Sequence, residues 1–227
     1  MISYIFGLPI YIGTFAEPQK VLEEIKMCQT IPKPPVCRSE FVEILGRKPD
    51  DDEGAIFDLR NYTHITKYIN SEIDIHIKKF LDELNIKNLN ITTQMCGKLN
   101  CKGNCSDLWF STYQIGQYTK QHWHLEDADS VNFCKPMEAM FSFNYFVKYD
   151  YEKDAGFFFV NPSPIHDLYN EIEDSVPQLK KDIQLQIKEG EIVLFPSCLL
   201  HYVKRQNVIG PRITLSGNLY KVGWCSS

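Results

Sequence analysis

Apolar residues recur along this chain with two different spacings, and each spacing predicts a different kind of element. Between residues 63 and 84, apolar side chains return every three or four positions and face a polar stripe, which predicts a long amphipathic helix. Residues 17–28 have the same spacing, with Pro18 where the first turn of a helix tolerates it. Beyond residue 91, short apolar and aromatic runs alternate with turn residues, as strands do.

Taken together, these elements predict an α+β protein that is mainly β. The closely spaced strands of the last two-thirds favour an antiparallel barrel or jelly roll, and the helices before them would brace one face. Residues 2–13 are predicted to be one strand, and the runs FSFNYF and FFFV to be consecutive strands about a hairpin turn. We expect one domain over residues 1–227, with the N-terminal strand and supporting helices in 1–90 and the β core in 91–227.

One stretch, WFSTYQIGQYTKQHWHLE, carries the strongest candidate chemistry. If its end is extended, His122, His124 and Glu126 point to the same face, because alternate side chains of a strand do so. A second run, EIVLFPSCLLH, ends at His201, and Arg212 begins the next strand-like segment. Neighbouring ligands from one strand and a distant His from another are typical of a metal site that keeps positions open for substrate.

Composition excludes some classes of protein. Of 227 residues, 44% are hydrophobic and 23% charged, which is ordinary for a globular domain. The net charge of −5, without a basic stripe, argues against duplex nucleic acid as a partner. No apolar run reaches the roughly 18 residues that suggest a membrane span. We therefore expect a cytoplasmic protein, in the host cytoplasm if it is viral, with no membrane partner.

The eight cysteines form one cluster only, Cys96, Cys101 and Cys105 in CGKLNCKGNC. In a cytoplasmic chain such thiols are expected to be reduced or to bind a metal. The spacing differs from the paired CxxC pattern of structural zinc sites. A loop that happens to carry thiols is therefore favoured over a zinc site, which remains the alternative.

The order of these motifs resembles a known family. The sequence YxxG, then HxH, FSFNYF, EGEIVLFPSxxxH and RITLSGN is similar to the iron(II)- and 2-oxoglutarate-dependent oxygenase superfamily, and more narrowly to oxygenases common in phage genomes. The resemblance implies a double-stranded β-helix, a cupin-like jelly roll that binds Fe(II) and 2-oxoglutarate and uses O2. It matches His122 to the first metal ligand, His201 to the distal histidine and Arg212 to the partner of the cosubstrate's far carboxylate.

The chain departs from the usual family motif at position 124, which holds His where the motif has an acid. Two interpretations stay open. In the first, which we favour, His122, His124 and His201 form a three-histidine site. In the second, the register slides by two, and His124 and Glu126 supply the HxE pair. Thr214, Tyr113 and Asn144 are further candidates for contacts with the cosubstrate.

The resemblance implies a hydroxylase that couples decarboxylation of 2-oxoglutarate to oxidation of a substrate C–H bond. Two other functions are compatible with the residues. One is a cupin-like metal enzyme that does not use 2-oxoglutarate, and the other is an inactive barrel that serves as a binding or virion-associated module. The sequence identifies neither the primary substrate nor the oligomeric state. Residues 127–138 resemble an insertion that could cover the site.

Overall fold

The computed structural model describes residues 2–29, 55–58, 63–89, 91–92, 94–95, 105–106, 108–124, 139–162 and 180–221. The two helices among these residues are α1 (Pro18–Gln29) and α2 (Thr63–Glu83). The strands are β1 (Ile2–Ile5), β2 (Leu8–Thr14), β3 (Ala55–Asp58), β4 (Ile91–Thr92), β5 (Gln94–Met95), β6 (Cys105–Ser106), β7 (Leu108–Tyr113), β8 (Thr119–His122), β9 (Phe141–Lys148), β10 (Phe157–Val160), β11 (Asp182–Gln184), β12 (Glu191–Pro196), β13 (His201–Val203) and β14 (Arg212–Lys221).

Both predicted helices are present, and their apolar stripes pack on one face of the larger sheet. The buried side chains of this layer come from α1, α2 and the sheet, and include Val21, Ile25, Ile69, Ile73, Ile77, Phe80, Tyr11, Phe143, Tyr145, Leu194 and Leu215. Each fully buried Ile or Phe stabilises the fold by about 2 kcal/mol, so the helices are held by this contact more than by their own propensity. Neither described helix combines the length and apolar character needed to cross a membrane.

The predicted single strand over residues 2–13 is wrong, because the segment is a hairpin. β1 and β2 pair antiparallel, with Ile5 opposite Leu8. The two residues between them, Phe6 and Gly7, both have positive φ, 52° and 79°. Two successive residues of this kind form the turn whose twist matches that of paired strands. The sequence pattern missed it because the apolar run continues through the turn.

The strands form two main antiparallel sheets. The larger sheet has the order β1-β2-β12-β9-β14-β7-β3, with β4 also paired to β14, and the smaller has the order β11-β10-β13-β8. The predicted hairpin between β9 and β10 is therefore wrong, because these strands lie in different sheets. The connecting segment folds on itself, with the N–H of Asp154 donating to the carbonyl of Asp150 (2.8 Å), and carries the chain across.

The sheets face each other across a second apolar cluster. Phe157 and Phe159 of the smaller sheet lie 6.1 Å and 5.0 Å from Phe195 of the larger one, between ring centroids. This confirms the expected mainly β jelly roll braced by helices. The larger sheet thus has one face toward the helices and one toward the smaller sheet, and the candidate site lies in this second space.

His76 is buried where α2 meets β2, with 2% of its surface exposed. Its Nδ1 lies 3.0 Å from the hydroxyl of Tyr11, and its ring stacks on Phe15. A Cβ at Gly13 would lie 2.4 Å from the imidazole, so this close approach requires glycine. Burial, followed by the charge of Lys79, lowers the pKa of His76 to about 4.

We expect the protein to lose stability on acidification partly through His76. Its pKa is depressed from an ordinary 6.5 to about 4 in the folded state, so the neutral ring favours folding above pH 6.5. That contribution, on the order of 3 kcal/mol, is lost as the pH falls toward 4. Free energies of unfolding measured by denaturant at pH 7 and pH 4.5 should differ less in His76→Gln than in the wild type. Equal differences would contradict the prediction.

Candidate metal centre

Two of the predicted metal ligands are brought together by pairing within the smaller sheet. His122, the last residue of β8, lies directly opposite His201, the first residue of β13. His124 follows beyond the strand end, where its N–H donates to the carbonyl of Ser197 (3.0 Å). Ligand nitrogens of the three histidines all lie within 4.8 Å of one another. Among the described residues, this is the one group of His, Cys, Asp and Glu side chains close enough to hold a metal ion.

Hydrogen bonds to Nδ1 determine which ring nitrogen each histidine offers. The Nδ1–H of His122 donates to the carbonyl of Lys120 (2.8 Å), and that of His201 donates to the carbonyl of Leu199 (2.9 Å). For His124, Nδ1 lies 2.8 Å from the side-chain oxygen of Asn218. A proton on Nδ1 leaves the lone pair on Nε2, so all three rings are fixed in the tautomer that binds a metal through Nε2.

The surroundings of His201 keep it in the neutral form that a metal ligand requires. Its ring is 2% exposed and packs against Phe195 and Phe157, at 4.9 Å and 5.5 Å between centroids. Burial first, and then the imidazoles of His122 and His124, lower the pKa of His201 well below its usual range. Because metal competes with protons for imidazole, a neutral ring at neutral pH favours metal binding.

Arg212 lies between the two sheets at the start of β14 and is 1% exposed. Its guanidinium carbon is 4.8 Å from the ring centroid of Tyr113, 5.3 Å from that of Tyr149 and 5.5 Å from that of Phe146. Burial lowers its pKa, although a guanidinium remains charged in a protein. Its Nε and Nη1 are buried without a hydrogen-bond partner. A buried cation with unsatisfied N–H groups is costly, so this pocket suits an anion that accepts from the guanidinium.

A row of buried polar side chains joins the two parts of the site. Alternate residues of β14 share a face, and this face carries Arg212, Thr214, Ser216 and Asn218, all less than 9% exposed. Ser216 donates its hydroxyl to the side-chain oxygen of Asn144 on the neighbouring strand. One strand thus runs from the buried guanidinium to the amide that contacts His124.

The remaining predicted site residues differ in where they lie. Tyr113 faces Arg212, and its hydroxyl is 2.6 Å from that of Thr119. Thr214, which is 3% exposed, belongs to the polar row on β14, and Asn144, which is 8% exposed, contacts that row from β9 through Ser216. Glu126 and the 127–138 insertion lie outside the described residues, as do Cys96 and Cys101. Cys105 begins β6, where it pairs with Met95.

Sequence reasoning missed several residues that contact the candidate ligands. Ser142 and Ser197 lie beside His124, Tyr149 faces Arg212, and Trp109 packs its edge against His124 at 5.5 Å between centroids. Asn218 was within the RITLSGN motif but had no role assigned to it. Its two-residue spacing from Ser216 and Thr214 was the signal that could have placed it on the face of Arg212.

Residues 107–218, which include all three histidines and Arg212, match the sequence model of a family described as "Putative 2OG-Fe(II) oxygenase". Over these residues, just under half of its length, the chain is similar to the 2OG-Fe(II) oxygenase family. No curated protein sequence matches this chain significantly. The family is named for the same cosubstrate and metal that the resemblance of the motifs implied.

Solved structures share the fold of this chain over nearly its whole length. A prolyl-4-hydroxylase of Pseudomonas putida is 11% identical with a TM-score of 0.54, over 94% of this chain and 93% of that one. The viral collagen prolyl hydroxylase of Paramecium Bursaria Chlorella virus-1, in its 2OG complex, is 13% identical with a TM-score of 0.52, over 94% and 96%. HygX of Streptomyces hygroscopicus, with nickel and 2-oxoglutarate bound, is 10% identical with a TM-score of 0.58, over 94% and 83%. Similarity at this level establishes the double-stranded β-helix and leaves the substrate open.

Proposed function

We propose that this chain is an Fe(II)- and 2-oxoglutarate-dependent oxygenase, a hydroxylase of an unidentified substrate. The observation that carries the proposal is the buried guanidinium of Arg212, whose Nε and Nη1 are unsatisfied, on the strand that also contacts His124. A metal site alone would not require a buried cation beside it. A cosubstrate with a chelating keto acid at one end and a carboxylate at the other would use both the metal site and the guanidinium.

His122, His124 and His201 would hold the iron through Nε2. Three neutral imidazoles suit Fe(II), and a set of three protein ligands leaves positions open for cosubstrate and O2. Iron and 2-oxoglutarate, when bound, would supply the oxidising chemistry: one oxygen atom of O2 would enter succinate as CO2 leaves, and the other would enter a substrate C–H bond. The aromatic side chains around His201 keep water away from this face of the site.

Arg212 would bind the far carboxylate of 2-oxoglutarate. A planar guanidinium can donate two parallel hydrogen bonds to a carboxylate, and burial strengthens them. Thr214, on the same face of β14, would add a hydroxyl hydrogen bond. Tyr113 would hold the guanidinium in place through its ring, and Asn144 would border the path toward the metal.

The experiment that tests the function is an anaerobic optical titration of the Fe(II)-loaded protein with 2-oxoglutarate. A bidentate keto acid on Fe(II) gives a visible charge-transfer band, which we expect to appear and saturate. Iron binding without a band would overturn the cosubstrate assignment and favour a cupin-like metal enzyme that does not use 2-oxoglutarate. Binding of neither iron nor 2-oxoglutarate would favour the inactive binding or virion-associated barrel. The phage origin and cytoplasmic location implied by the sequence stay predictions.

A further inference from the structure

His124 is held by three buried polar residues, Ser142, Ser197 and Asn218, which we call the His124 anchor. Nδ1 of His124 lies 2.8 Å from Oδ1 of Asn218 and 2.9 Å from Oγ of Ser142. The hydroxyl of Ser142 also donates to Oδ1 of Asn218 (2.9 Å) and lies 2.8 Å from that of Ser197. Ser142 is 0%, Ser197 1% and Asn218 8% exposed. Burying this many polar groups is favourable only when they satisfy one another.

The anchor compensates for the position of His124 beyond the end of a strand. β8 ends at His122, whose backbone is fixed by pairing with His201. At His124 the pairing has ended, and its N–H donates instead to the carbonyl of Ser197. The other two imidazoles donate to backbone carbonyls two residues away, at Lys120 and Leu199. The ring of His124 instead depends on side chains from β9 and β14, distant in sequence.

We propose that Asn218 is a positioning residue for the metal, acting through His124, with Ser142 and Ser197 holding its amide in place. This inference rests on the proposed role of His124 as a ligand. The acceptor on Asn218 keeps the proton of His124 on Nδ1 and directs Nε2 toward the other two histidines. Partners of this kind typically change metal affinity about 10- to 100-fold when they are removed.

The anchor is also uncharged, and this has a consequence for the cosubstrate. Position 124 carries a neutral ring where the usual family motif has an acid, and the ring's partners are an amide and hydroxyls. The three imidazoles and these partners therefore leave the positive charge of Fe(II) undiminished. A dianionic cosubstrate is attracted by that charge. A carboxylate at position 218 would keep the hydrogen bond but place a negative charge beside the site.

The test compares Asn218→Leu, which keeps the approximate volume but removes the acceptor, with Asn218→Asp, which keeps the acceptor and adds charge. Co(II) affinity, measured by calorimetry with the visible Co(II) spectrum, should fall about 10- to 100-fold in Asn218→Leu. It should stay within about threefold of wild type, or tighten, in Asn218→Asp, because a carboxylate partner makes imidazole a stronger ligand. Co(II)-loaded Asn218→Asp should bind 2-oxoglutarate more weakly than the Co(II)-loaded wild type.

Tyr11→Phe is the matched control, because it removes a contact to Nδ1 of a different buried histidine, His76 (3.0 Å). It should lower the melting temperature and leave Co(II) affinity unchanged. If Asn218→Leu fails to fold, Ser142→Ala removes the second acceptor more gently and should still weaken Co(II) binding. Wild-type Co(II) affinity in Asn218→Leu and Ser142→Ala, or equal losses of affinity in Asn218→Leu and Asn218→Asp, would overturn the inference. A wild type that binds no Co(II) would instead overturn the proposed metal site.

Discussion

Replacing His201 with alanine should abolish iron binding and turnover together. His201 is buried opposite His122, and its loss leaves two imidazoles and a cavity where the third ligand stood. A directly bound ligand should matter more than an outer partner, so Co(II) affinity should fall by more than about 100-fold. Calorimetry with Co(II) and single-turnover assays with Fe(II) measure the two effects separately. Turnover retained in His201→Ala would refute the metal assignment.

His76→Gln provides the matched control for this variant. His76 is as buried as His201, at 2% exposure, but belongs to the contact between α2 and β2. Its replacement should change the pH dependence of stability without changing Co(II) affinity. Loss of Co(II) binding in both variants would mean that the fold, and not the ligand, had been damaged.

Glu126 distinguishes the two interpretations of the ligand set. Both use His124, so the informative pair is His122→Gln and Glu126→Gln under the same Co(II) titration. In the three-histidine site, the first variant loses affinity and the second retains it. The reverse result would select the HxE pair, with His122 as a neighbour of the metal.

Replacing Arg212 with methionine should raise the dissociation constant for 2-oxoglutarate about 100- to 4,000-fold while leaving metal affinity unchanged. Removing one partner of a buried charge pair costs about 3–5 kcal/mol, and each 1.4 kcal/mol is about tenfold in affinity. The dissociation constant of Arg212→Lys should lie between those of the wild type and Arg212→Met, because an ammonium keeps the charge but loses the planar pair of donors. Titration of the charge-transfer band with 2-oxoglutarate measures this dissociation constant in all three proteins. Equal dissociation constants for 2-oxoglutarate in the wild type and Arg212→Met would refute the role of Arg212 in binding the far carboxylate.

For Arg212→Met we also expect an effect on the melting temperature of the protein without cosubstrate. Because Nε and Nη1 of Arg212 are buried and unsatisfied, methionine should leave the melting temperature unchanged or raise it. In saturating 2-oxoglutarate, the wild type should gain stability and Arg212→Met should not. Arg205→Met is the matched control, since this exposed arginine donates to the carbonyl of Gly116. It should leave 2-oxoglutarate binding unchanged.

Periodicity predicted the features whose causes are local. The stripe of α2 needs only residues three and four apart, and its bounds were found to within one residue at Glu83. The order of His122, His201 and Arg212 was equally visible, because strand runs with turn signals bracket each of them. These three residues could therefore be singled out from the sequence before the fold was known.

Contacts between distant segments could not be predicted in this way. Whether β9 pairs with β10 or with β12 and β14 depends on the competition among all the strands. In the structure, β9 pairs with β12 and β14. The same pairing brings Ser142 beside Asn218, which is 76 residues away in sequence. The turn at Phe6 and Gly7 depends on two backbone angles within an uninterrupted apolar run.

The strand β14 fixes the spacing between Arg212 and the residue that contacts His124. Its inner face carries Arg212 and Asn218, while Ile213 and Leu215 on the other face pack into the layer beneath the helices. Inserting one residue would exchange the two faces, so the contact to His124, the buried guanidinium and the packing against the helices would be lost together. Moving the arginine by a whole step along the inner face, roughly 7 Å for two residues, keeps the alternation intact. If Arg212 binds the far carboxylate as proposed, the length of diacid that fits the site can change only in steps of two residues.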